Sequence, residues 1–235
     1  MDMLMGDQVA AAKLTDWRHL AQGLHARYLV EDFAAAARFV DAAGACGDDL
    51  HRHLSLTIGN GYIDLKVVSP DAIYRDHDGM EYVVEWVTQA DLDIARRLSD
   101  VAADHHLMPE PAAVSTLELG LDTRESGAVA PVWAALLTGD ANAQGRGTPS
   151  DEIRDATDRV PHLWFGDLAD DSDEPQRFHI EVYVPPEVAV ERVKAALLAG
   201  GTVVDDSQAP SLVVIADPEG NKGVLCTRAP ATSDG

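Results

Sequence analysis

Between Leu54 and Val68 apolar side chains recur at every second position on both sides of Gly59-Asn60-Gly61: Leu54, Leu56 and Ile58 before it, Ile63, Leu65 and Val67 after it. A period of two puts them on one face of a pleated ribbon, and the Asn-Gly pair tolerates the positive φ of a tight reversal. The stretch therefore reads as a β-hairpin with one apolar face. Such a hairpin is stable only when something covers that face, and the flanking sequence supplies helices. Asp32 can cap a helix in which Phe33, Ala36, Ala37 and Val40 recur at helical spacing, ended by Gly44 and Gly47. Thr88 can cap another, with Leu92, Ala95, Leu98 and Val101 inward. Upstream, Thr15 or Asp16 can cap a helix with Trp17 and Leu20 on its apolar side, followed by a short strand around Ala26 to Val30. Ile73 to Trp86 predicts a second hairpin turning at Asp78-Gly79. Residues 1–13 carry no such pattern and are expected to be disordered. Helix, strand, helix, strands, helix predicts an α+β domain over residues 14–108, an antiparallel sheet covered by helices on one face.

Pro109-Glu110-Pro111 stops the preceding helix, so residues 109–112 are expected to be a stiff linker. His105-His106, just before it, suits the C-terminal end of a helix better than a metal pair, because neighbouring helical side chains diverge by about 100°. A second domain follows over residues 113–228. Val114 to Leu121 alternates as a strand. Ser126 to Leu137 reads as a helix with Val129, Trp133 and Leu136 inward, and a Gly/Pro-rich loop leads to Val160–Phe165. The acidic run 169–174 is expected to be a solvated loop. Then the pattern begins again: a strand from Phe178 to Val184, a helix from Pro186 to Ala199 stopped by Gly200-Gly201, and strands at Thr202–Val204 and Leu212–Ala216. A turn at Asp217–Gly220 and a last strand through Leu225 complete it. Two strand-helix-strands passes imply paired modules building one curved sheet. Residues 229–235 are expected to be disordered.

Forty acidic against 18 basic side chains give a formal charge of −22. This argues against nucleic-acid and anionic-membrane partners, both of which need a basic footprint. No run approaches the ~20 apolar residues of a membrane span, and MDMLMGDQVA lacks the basic start and apolar middle of a signal peptide. A cytoplasmic location is expected. Cys46 and Cys226 are too few for a disulfide framework or a thiolate zinc site, so two free thiols are expected.

Three segments of the first domain, in order and spacing, resemble the pterin-4a-carbinolamine dehydratase family. Tyr28-Leu29-Val30-Glu31-Asp32-Phe33 is similar to its entry into the second helix. Leu50-His51-Arg52-His53-Leu54 lies on its Leu-x-His-His-Pro segment, and Val87–Ala95 on its Leu-Thr-x-x-Asp-x-x-Leu-Ala helix start. The resemblance implies loss of water from a 4a-hydroxytetrahydropterin, with no cofactor required. One group protonates the leaving hydroxyl, another takes a ring proton, and imidazole near neutral pH can do either. The family uses a His-His pair and a third His. Those positions fall here on Arg52, His53 and Pro70, so one histidine of three is kept. His53 is then the main acid/base candidate. His51, two residues away and on the same side of an extended segment, is its candidate helper. Arg52, Asp71, His77 and Trp86 are the candidate substrate-binding residues; Arg52 stays protonated and can anchor a ligand but not act as base. Equally open is a polar connection at residues 51–53 with no chemistry.

The second domain resembles the glyoxalase-like, or vicinal oxygen chelate (VOC), superfamily. The resemblance is carried by Trp133–Leu137, by Arg177-Phe178-His179-Ile180-Glu181-Val182 and by Asp217-Pro218-Glu219-Gly220-Asn221. It implies paired βαβββ modules whose curved sheet cups a small ligand, often with a divalent metal held by four side chains. Those four positions fall near Thr116, His162, His179 and Val224. His162 and His179 are candidate metal ligands only if Glu118 or Glu181 turns inward; period-two alternation puts Glu181 on the His179 face. Cup-lining histidines bonded to a ligand or water are the favoured alternative to a metal. Three functions remain open: a hydro-lyase acting on a pterin-like small molecule with an altered site, a non-catalytic small-molecule-binding protein, and a metal-assisted lyase, isomerase or dioxygenase in the second domain. Both resemblances imply a homodimer or larger assembly.

Overall fold

A computed structural model describes the chain except residues 48–49, 125, 131–133, 135–160, 169–176, 217, 219, 221 and 229–235. The chain forms two compact units, Met1–Ser115 and Thr116–Gly235. Trp133, Leu136, the run 169–174, most of the turn at 217–221 and the expected disorder at 229–235 lie outside the described residues.

In the first unit the main sheet runs β1 (Trp17–Leu20), β2 (Gly23–Leu29), β4 (Tyr62–Val67), β3 (Leu54–Gly59), all antiparallel. The hairpin expected at Gly59–Gly61 is β3–β4, its reversal eased by Gly61 at φ +84°. One face carries Leu24, Ala26, Tyr28, Ile63, Leu65 and Val67, all essentially buried. Helices α2 (Phe33–Gly44) and α4 (Gln89–Asp104) cover it. Asp32 caps α2 by accepting from the Ala35 amide at 2.7 Å. Each fully buried Leu, Ile or Phe here contributes roughly 1.5–3 kcal/mol. Ser99 of α4 pins the helix to the sheet: its hydroxyl accepts from Trp17 Nε1 at 3.0 Å and lies 3.2 Å from the Tyr28 hydroxyl. A separate hairpin pairs β5 (Ser69–Arg75) with β6 (Glu81–Trp86).

Four expectations need correction. α2 buries Ala36, Phe39 and Ala43, and Phe33, Ala37 and Val40 of the expected face are exposed. Trp17–Leu20 is a strand rather than the start of a helix. A two-residue reversal with Ala21 at φ 47° turns the chain back before a helix can extend and pairs Trp17 with Ala26 instead. The first 13 residues are ordered. Helix α1 (Gly6–Ala11) buries Val9, and the Met3 amide donates to the Ile73 carbonyl at 3.0 Å. Residues 109–112 belong to the first unit: β7 (Met108–Pro109) pairs with β2, the Glu110 amide donates to the Arg27 carbonyl, and Pro111–Ala113 is a 3-10 turn.

In the second unit the sheet order is β11 (Thr202–Asp205), β12 (Leu212–Ala216), β13 (Lys222–Cys226), β10 (Phe178–Tyr183), β8 (Thr116–Thr123), β9 (His162–Asp167). β8 and β10 lie antiparallel at the centre, and each takes a parallel neighbour from its own half, β9 and β13 respectively. That symmetry is the paired-module arrangement expected from the sequence. Residues 126–130 are helical, and Ala130 and Ala134 pack with Leu121, Leu163 and Phe165. Helix α5 (Pro186–Leu198) packs Ala189 against Val184 and Leu225. Alternation leaves the other face of β8, β9 and β10 to Glu118, His162, His179 and Glu181.

Candidate functional site

Leu50–His53 is one helical turn, α3, between α2 and β3. At 3.6 residues per turn, positions 51 and 53 stand about 200° apart, so they face opposite ways. The same-side arrangement expected for an extended segment does not occur. His51 is exposed, and His53 turns inward with 8% of its surface accessible. Its Nδ1 lies 2.9 Å from Asp91 Oδ1, and Asp91 has no accessible surface.

Asp91 belongs to α4 and is three residues past Thr88, the helix cap. Its Oδ2 accepts from the Thr88 amide at 2.7 Å, the Thr88 hydroxyl at 2.9 Å and the Ser69 hydroxyl at 2.7 Å. Ser69 Oγ is also 3.2 Å from His53 Nδ1 and 2.8 Å from Thr88 Oγ1. α3, β5 and α4 thus meet in a buried network of four polar side chains, each satisfied by another. The Thr88-x-x-Asp91 spacing of a capping box was the sequence signal for it. Nothing in the sequence marked Ser69 as its partner.

The other candidates stand elsewhere. Arg52 pairs with Asp71 at 2.9 Å, both about half exposed. His77 sits on the β5–β6 turn, 89% exposed, 3.2 Å from Asp78. Trp86 donates from Nε1 to the Leu4 carbonyl at 2.9 Å, meets His19 edge-on at 5.8 Å and packs against the core. The structure therefore does not gather His51, Arg52, His53 and His77 in one cleft. His51 instead lines a groove with Val40, Leu50, Leu54 and Leu56.

In the second unit strand register sets His162, Glu118 and Glu181 side by side on β9, β8 and β10, with Val224 next on β13. Glu118 and Glu181 are both buried. Directly paired residues on antiparallel strands stand about 4.5–5.5 Å apart at Cβ, so the cup holds two carboxylates close together. His162 Nδ1 is 3.7 Å from Glu118 Oε1, and His179 Nε2 is 3.8 Å from Glu181 Oε1. The Tyr183 hydroxyl donates to Glu181 Oε2 at 3.0 Å. One register step along, Gly120 faces His179, and any Cβ there would collide with the imidazole. Trp164 meets the same ring edge-on at 5.4 Å.

The contact with Glu181 holds the His179 imidazolium above its ordinary pKa against the opposing effect of burial, and Asp122, 4.0 Å away, adds to it. Burial drives the Tyr183 hydroxyl far up, with Glu118 and Glu181 adding; burial likewise pushes the Cys226 thiol up to about 12. Residues 118–226 match the family model of the glyoxalase-like domain. In this glyoxalase-like domain an aliphatic residue, Val224, occupies the fourth strand's place in the row. Among the described residues no three His, Cys, Asp or Glu side chains are arranged to hold a metal ion, so the donor set does not fit the divalent metal that the resemblance implied.

No match to the chain exists among curated proteins. One similar solved structure is that of a transcriptional coactivator/pterin dehydratase from Brucella melitensis. It is 17% identical, and the match covers 43% of this chain and 99% of that one, with a TM-score of 0.34. The α+β fold of the first unit stands on its own strand order and helix placement. No helix among the described residues is long and apolar enough to cross a membrane.

Proposed function

We propose that the first unit carries single-imidazole acid/base chemistry on a small ring compound: elimination of water from a 4a-hydroxytetrahydropterin or a close analogue, with His53 as the exchanging group. The observation that carries this reading is the 2.9 Å contact between His53 Nδ1 and the fully buried Asp91 carboxylate. A carboxylate on Nδ1 fixes the ring's tautomer and orientation and assigns the exchanging role to Nε2. Asp91 is thereby a positioning residue, and Ser69 and Thr88 hold it. Arg52, tied to Asp71, supplies no base, and one general acid–base group is worth about 10²–10⁴-fold in rate.

Freshly generated carbinolamine tests this. Wild type is expected to accelerate its dehydration, His53→Ala to abolish the acceleration, and Asp91→Asn to change the pH profile. No acceleration by wild type refutes the reading. A second reading, binding without turnover, is favoured by the Glu118–Glu181 pair in the glyoxalase-like domain, whose buried carboxyl groups suit a hydrogen-bonding ligand. Pterin binding at equilibrium dialysis with no dehydration would favour it.

A further inference from the structure

Trp86, a substrate-binding candidate in the sequence, commits its indole to the N-terminal segment, and the bond it makes there leads back to His53. Its Nε1 donates to the Leu4 carbonyl at 2.9 Å, and the Met5 amide at the other end of that peptide donates to Gln8 Oε1 at 2.7 Å. The Leu4 amide in turn donates to the Val87 carbonyl at 2.8 Å. Val87 and Thr88 are fully buried. The Val87 carbonyl and the Thr88 amide are the two ends of one planar peptide, so a bond that fixes one end fixes the direction of the other. At that other end the Thr88 amide donates to Asp91 Oδ2 at 2.7 Å, and Asp91 Oδ1 accepts from His53 Nδ1 at 2.9 Å. A continuous run of hydrogen bonds thus links the start of the chain to the imidazole. The segment is anchored at both ends of the run: the Ile73 amide donates to the Met1 carbonyl at 2.7 Å, and Leu4 packs against the core.

We propose that Leu4 and Trp86 are positioning residues for His53: they hold the Val87–Thr88 peptide so that its amide keeps Asp91, and through Asp91 the imidazole, in one orientation. Neither residue touches a reacting atom. Bonds in such a chain polarise one another, each strengthening the next by about 10–30%. Because Val87, Thr88 and Asp91 are shut off from water, no solvent molecule takes the place of a bond lost from the run. The consequence for rate rests on the reaction proposed for His53, whereas the placement of the ring rests on this geometry alone.

The test is the rate at which the His53 Nδ1 proton exchanges with solvent, followed by NMR on the full chain. Leu4→Pro deletes the amide proton that reaches Val87, and Trp86→Phe deletes the indole donor while keeping an aromatic ring against the core. Each is expected to speed exchange at His53 by about twofold or more. The Trp17 indole proton, bonded to Ser99 at 3.0 Å in the same unit but outside the run, is the reference and is expected to keep its wild-type rate. Equal acceleration of both protons overturns the proposal, because the variants would then only loosen the unit as a whole. So does an unchanged rate at His53 in the folded variants, or a His53 Nδ1 proton too labile to detect in wild type. Trp86→Phe decides the matter if Leu4→Pro does not fold. Failure of wild type to dehydrate the carbinolamine strikes the proposed reaction and leaves this exchange result to stand or fall by itself.

Discussion

Replacing Asp91 by alanine tests whether the buried network holds the first unit together. The carboxylate accepts from His53 Nδ1, the Ser69 and Thr88 hydroxyls and the Thr88 amide, all within 2.9 Å and out of contact with water. A hydrogen bond to a charged group contributes about 1.5–3 kcal/mol. The loss does not count all of them in full, since the Ser69 and Thr88 hydroxyls still reach each other at 2.8 Å and Ser69 still reaches His53. The Thr88 amide is left stranded and the His53 Nδ1 proton keeps only the longer Ser69 contact, which gives about 3–5 kcal/mol, the range for breaking a buried pair. Asp91→Asn keeps shape and one acceptor, and is expected to cost about half as much. Urea unfolding followed by Trp17 and Trp86 fluorescence, in a Trp133→Phe/Trp164→Phe background, isolates the first unit. Adding His53→Ala to Asp91→Ala should cost less than the sum of the single changes, because the two share one contact. A loss under about 1 kcal/mol for Asp91→Ala would refute the reasoning: the network would then be no stronger than a surface ion pair.

Two further predictions concern pH. Burial, with Lys66 and His19 nearby, lowers the His25 pKa to about 3. The unfolded chain therefore binds a proton that the folded one refuses, and stability is lost as pH falls from about 6.5 towards 3; between pH 7 and pH 5 the loss is about 2 kcal/mol. In urea titrations His25→Gln should reduce that difference, and an identical pH dependence would contradict it. His179 has the opposite sign. Its raised folded pKa stabilises the glyoxalase-like domain fully below 6.5 and ceases to do so as pH rises through the folded value. His179→Gln should remove this alkaline loss, which imidazole resonances titrating at or below 6.5 in the wild type would rule out.

The alternation around Gly59-Asn60-Gly61 and the Thr88 cap were enough to place β3, β4 and α4, because local periodicity and capping chemistry decide those elements by themselves. Trp17–Leu20 was misread because its spacing suits a helix, and only pairing with β2 makes it a strand. At the candidate site, position 53 was singled out by its motif, but its inward turn onto Asp91 was not. Asp91 lay inside the Val87–Ala95 helix-start segment without being singled out. Ser69 was not legible at all, since a serine near a strand start carries no local signal of a partner 22 positions away. The opposed directions of His51 and His53 depended on whether the segment was helical or extended, and four residues are too few to show a period. Register across three strands likewise brought His162, Glu118 and Glu181 into line, an alignment no single segment encodes.

The single turn at 50–53 has a further consequence. Four successive side chains engage three surroundings: Leu50 and His51 the groove beside α2, Arg52 a carboxylate on β5, His53 the buried carboxylate of α4. In a strand alternate members would have shared a face, Leu50 with Arg52 and His51 with His53, and changed together. Wound into a coil they are mechanically partitioned, so Arg52 or His51 can be replaced over evolutionary time without disturbing the imidazole beside them. That independence lets each position of the turn change while the scaffold around it stays whole.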